Sequence, residues 1–146
     1  MSSPRFRCLA ATAALLLAVL AGQAIAQAPA ATTCGAGIDG AQRTENPRYV
    51  VAFAPRPAPW ALGRHFALEF EICPKDGAPL PDPVRVDARM PEHGHGMNYR
   101  PTVHALAPGR WRAEGLLLHM AGRWELSFEW RRGEQLERLT QDLPLR

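Results

Sequence analysis

The 146-residue chain holds one long apolar run and no second one. The run, Leu9 to Ala21, carries no charge, follows Arg5 and Arg7, and leads to Ala24-Ile25-Ala26, a small-x-small cleavage signature. Residues 1–26 therefore read as a secretory signal, and the protein is expected to be periplasmic or secreted. A retained membrane anchor is the rival reading, but the run falls short of the roughly 18 to 20 apolar residues a span needs. No stable membrane span is expected once the signal is removed.

Charge of one sign is also lacking. Taking Arg5 and Arg7 from the 17 basic residues leaves 15 against 14 acidic ones, which gives no footprint for nucleic acid. Cysteine is scarce, with Cys8 in the signal and only Cys34 and Cys73 beyond it. A single pair in an exported chain points to a disulfide, while two free buried thiols or two thiolate ligands remain alternatives. There is no C-x-x-C and no H-E-x-x-H. Ser127, in "ELSFEW", has no glycine elbow, and the carboxylates alternate along strand exteriors instead of converging. With no positioned nucleophile and base, the chain is not expected to be an enzyme.

Helical periodicity is absent too, and what is present is strand. Residues 27–47, rich in Ala, Thr, Gly and Pro, read as an extended N-terminal arm pinned at Cys34. Beyond them "HFALEFEIC" alternates Phe66, Leu68, Phe70 and Ile72 with Glu69 and Glu71. "PVRVDARM" alternates Val84, Val86, Ala88 and Met90 with Arg85, Asp87 and Arg89. "GRWELSFEW" puts Trp124, Leu126, Phe128 and Trp130 on one face, which makes both tryptophans core residues. Trp60, in a proline-rich connection, is a candidate for exposure. Many of the 14 prolines lie between these runs, where they end strands without removing ladder donors. Residues 48–146 are thus expected to form one all-β domain, an immunoglobulin-like antiparallel sandwich of about seven strands. A small barrel is the alternative.

The residues that suggest chemistry are histidine and methionine. Past the signal there are three methionines and five histidines, and every methionine has a histidine within three positions. "MPEHGHGMNYRP" holds Met90, His93, His95 and Met97. In extended backbone His93, His95 and Met97 project to one side. Imidazole suits several transition metals and thioether is soft, so the mixed set reads as copper before zinc. His119-Met120, ahead of an Ala121-Gly122 turn, is the second half of the candidate site, and parity sends Met120 to the core and His119 outward. The competing reading makes "HGHGM" a metal-free turn with Met90 and Met120 filling the core. His65 and His104 read as ordinary surface residues.

"VDARMPEHGHGMNYRPTV" followed by "GRWRAEGLLLHMAGRWELSFEW" resembles the YtkA-like/FixH-like domain of bacterial envelope proteins, over about Val84 to Trp130. Met90, Pro91, His93, His95, Gly96 and Met97 match that family's loop, and Gly115, His119, Met120, Gly122 and Trp124 match its second block. The resemblance implies a small immunoglobulin-like sandwich associated with copper handling or oxidase assembly, and a partner that is a copper acceptor or assembly component of the envelope. The chain departs from the FixH type in lacking a convincing retained transmembrane helix.

Overall fold

The computed structural model describes residues 33–75 and 77–146; the signal segment 1–26 and residues 27–32 of the arm lie outside the described residues. The described chain is all strand and turn. Nine strands run in order: β1 (Gln42–Glu45), β2 (Tyr49–Arg56), β3 (His65–Pro74), β4 (Val84–Met90), β5 (His95–Gly96), β6 (Thr102–Ala107), β7 (Arg110–Leu117), β8 (Gly122–Arg132) and β9 (Gln135–Leu145). They form two antiparallel sheets, β1-β2-β3-β7-β6 and β5-β4-β8-β9. Without β1, that order is the A-B-E-D over C′-C-F-G arrangement of immunoglobulin-like sandwiches. The count exceeds the expected seven because the arm supplies β1 and the histidine loop supplies the two-residue β5, both too short to carry a periodic signal.

Alternation is cleanest where one face meets the core and the other meets water. In β4 burial switches at every residue, with Val84, Val86, Ala88 and Met90 inside. Phe53 and Phe70 from one sheet meet Phe128 from the other, with ring centroids 5.2 and 5.3 Å apart. Trp124 and Trp130 both sit in this core. Trp60 is not left in solvent: it turns back on the core, its ring 5.4 Å from that of Phe66.

β2 departs from alternation, and the arm explains why. Its inner face, Tyr49, Val51 and Phe53, fills the main core. Val50 and Ala52, on its outer face, are covered by Cys34 in a small second cluster that includes Cys73. A strand covered on both sides reads as a continuous apolar run, as "YVVAFA" does. Cys34 and Cys73 are joined in a disulfide, with Cα atoms 5.9 Å apart. Gly35 makes the close approach possible: a Cβ there would lie 2.3 Å from Ala52 Cβ, and its φ of +77° is one that glycine adopts without strain. Arginines hold the rest of the strap, Arg43 donating to Cys34 O at 2.7 Å and Arg110 to Gly37 O at 2.7 Å.

Three connections gather at one pole. β2 to β3 (57–64), β4 through β5 to β6 (91–101) and β7 to β8 (118–121) all turn there, and the last two cross between sheets. The disulfide lies at the other pole, where β2 begins and β3 ends.

Candidate metal site

β4 ends at Met90, whose side chain is fully buried. Its carbonyl accepts from His93 N at 3.1 Å and Gly94 N at 3.0 Å, so the chain turns at once and returns as β5, with His95 opposite Met90. Gly94, at φ +68°, takes the left-handed position in that turn. Met97 N then donates to Ala88 O at 3.0 Å, closing the return. These backbone bonds leave the His93 and His95 side chains exposed at the pole.

The second half of the site arrives from the other sheet. Leu116 near the end of β7 and Leu118 just beyond it are buried, and the same alternation, carried past the strand, leaves His119 exposed. Met120 is half-buried against the core, as its parity predicts, and Met97 packs there in the same way. The His119 ring stacks on that of His95 with centroids 5.3 Å apart, and His93 lies 5.8 Å from His95 on the same scale. Two segments 24 residues apart in sequence thus place three imidazoles side by side. Beneath them lies Trp124, its ring 5.3 Å from His119 and 6.1 Å from His95, both edge-on.

Donor atoms and charges limit what this arrangement can do. His95 Nδ1 lies 3.3 Å from Gly96 O; with the proton on Nδ1, that contact leaves the Nε2 lone pair open to a ligand. Glu92 does not join the imidazoles, because Arg123 binds it at 3.1 Å and Asp142 at 3.2 Å. The hydrogen bond to Glu92, with Asp142 adding its charge, raises the Arg123 pKa above its ordinary value. The accessible set therefore contains no carboxylate: imidazoles lie outside and half-buried thioethers below. Among the described residues, the one trio of His, Cys, Asp or Glu donors within 4.8 Å of one another is Cys34, Glu71 and Cys73. That trio is no ligand set, since both sulfurs are spent in the disulfide and Glu71 accepts from Gly35 N at 2.8 Å. The histidine donors are spaced more widely than that trio.

His65, read from the sequence as an ordinary surface residue, is exposed at this pole, and Tyr99 beside it was not singled out. His65 pairs with Leu117 two residues before His119, and its ring meets Tyr99 at 5.1 Å. No local pattern announces that contact, because it joins a strand start to a loop 34 residues away. His104 lies in β6, outside the cluster.

Comparison with known proteins finds no family model, no curated protein and no solved structure that matches the chain.

Proposed function

We propose that the protein is an exported copper-binding domain, holding the ion at its histidine pole and exchanging it with an envelope partner, a copper acceptor or oxidase assembly component. His93, His95 and His119 supply imidazole, and Met97 and Met120 supply thioether from below. The observation that carries this reading is the stack of His95 on His119, brought together from two separate inter-sheet connections. A nitrogen and thioether set with no carboxylate suits a soft monovalent ion better than a hard dication, which points to Cu(I). The Cys34–Cys73 disulfide agrees with an oxidising compartment, and no helix among the described residues is long and apolar enough to cross a membrane. The resemblance of Val84 to Trp130 to the YtkA-like/FixH-like domain belongs to the same proposal. Catalysis forms no part of it.

A metal-free interaction module is the second reading. It is favoured by β6, an edge strand that is mostly exposed and carries no Lys, Glu or Pro to discourage pairing with another chain. Titration of the folded domain with Cu(I), Cu(II) and Zn(II), beside the His93→Ala/His95→Ala variant, separates the two. Copper binding at least about tenfold tighter in the wild type, a gap of ~1.4 kcal/mol, supports the site. Equal affinity in the two proteins leaves the module.

A further inference from the structure

His95 and His119 are exposed, and exposed side chains ordinarily sample several rotamers. Here their rings are stacked with centroids 5.3 Å apart, and the group in contact with both is Trp124. Its side chain is completely buried, so its position is set by the core and not by solvent. The indole Nε1–H donates to Met120 O at 2.9 Å, which fixes the backbone one residue after His119. The ring then meets His119 at an interplanar angle of 82° and His95 at 72°. Core packing alone would not require this: Trp130, on the same strand and equally part of the core, leaves its indole N–H without a partner.

We infer that Trp124 is a positioning residue for the histidine cluster, holding His95 and His119 in one stack through its ring and fixing the His119-Met120 backbone through its indole N–H. Groups just behind metal ligands set ligand orientation, and losing one typically weakens metal affinity about ten- to a hundredfold. The consequence for copper rests on the proposed function, whereas the positioning does not.

The test compares wild type, Trp124→Phe and Trp130→Phe, the last losing a core tryptophan that makes no hydrogen bond. In metal-free protein, an NMR contact between the His95 and His119 ring protons is expected in the wild type and in Trp130→Phe, and is expected to vanish in Trp124→Phe. Copper affinity is expected to fall about tenfold or more in Trp124→Phe alone. Retention of the ring contact in Trp124→Phe, or its absence from the wild type, overturns the inference. Equal losses of affinity in both tryptophan variants overturn it as well. A wild type that binds no copper removes the proposed function and leaves the ring contact to decide the role of Trp124. Trp124→Tyr, which also lacks the indole N–H, serves the same comparison if the Phe variant does not fold.

Discussion

At the scale of single residues, the site is built on a contact between Met90 and Gly122. A Cβ on Gly122 would lie 2.5 Å from the Met90 Cε, and the φ of +131° at Gly122 is one that other residues rarely adopt. Met90 is fully buried, so its methyl group cannot simply swing into solvent. Gly122→Ala is therefore expected to destabilise the fold by about 1–3 kcal/mol, as overpacked cores do, measured by urea unfolding. Combining it with Met90→Ala should cost less than the sum of the two single changes, because the truncation removes the clash. The same contact joins the histidine loop to the start of β8. Met90 begins the histidine turn and Gly122 starts the strand that carries Trp124.

At the scale of elements, two local arrangements fasten the arm and the β8–β9 hairpin to β2 and β3. The disulfide closes a loop with a sequence separation of 39 and holds the arm over β2. In the chain-entropy picture that is worth about 4 kcal/mol. Cys34→Ser/Cys73→Ser is expected to lose stability of that order in denaturant unfolding, while its copper titration stays at wild-type affinity because the site lies at the other pole. The β8–β9 hairpin carries the second arrangement. Glu137, only 6% exposed, binds Arg48 of β2's approach at 3.0 Å and Arg132 at 3.1 Å. Burial pushes its pKa up, but the Arg132 hydrogen bond and the Arg48 charge together outweigh burial and hold it below the ordinary value of 4.5. A carboxylate lowered in the folded state stabilises the fold above the unfolded pKa, and the contribution is lost as pH falls through the folded one. Glu137→Gln should cost about 1.5–3 kcal/mol near neutrality, the usual range for hydrogen bonds to a charged group. The gap between the two proteins should close in unfolding curves recorded progressively below pH 4.5.

At the scale of the whole molecule, the sandwich brings distant segments to one pole. The two edges of the five-stranded sheet are treated differently: β1 touches β9 through the Thr44 hydroxyl, which donates to Thr140 O at 2.8 Å, while β6 is mostly exposed. The histidine pole contains connections that cross between sheets, so an ion held there ties the two sheets together. Copper present at about 100 times its dissociation constant is expected to raise unfolding stability by about 2.7 kcal/mol. Thermal unfolding with and without the ion checks this. The shift should disappear in His93→Ala/His95→Ala.

The alternation of "PVRVDARM" and "GRWELSFEW" by itself determined the all-β class, because a strand with one wet face writes its period into the chain, and the sheet pairing then decided the sandwich against the barrel. The same rule assigned Met90 to the core and turned His119 outward. The pairing of Cys34 with Cys73 was the simplest of the readings that cysteine arithmetic left open, and the structure bears it out. Tertiary structure alone decided which residues separated in sequence touch. It set His119 against His95, placed Trp124 beneath both, joined His65 to Tyr99, and buried Glu137, one of the carboxylates that as a group read as lying along strand exteriors. The arm's cover over β2 and the return of Trp60 to the core belong to the same class. Local periodicity reports whether a side chain faces in or out, and it carries no information about which partner from another strand it will meet there.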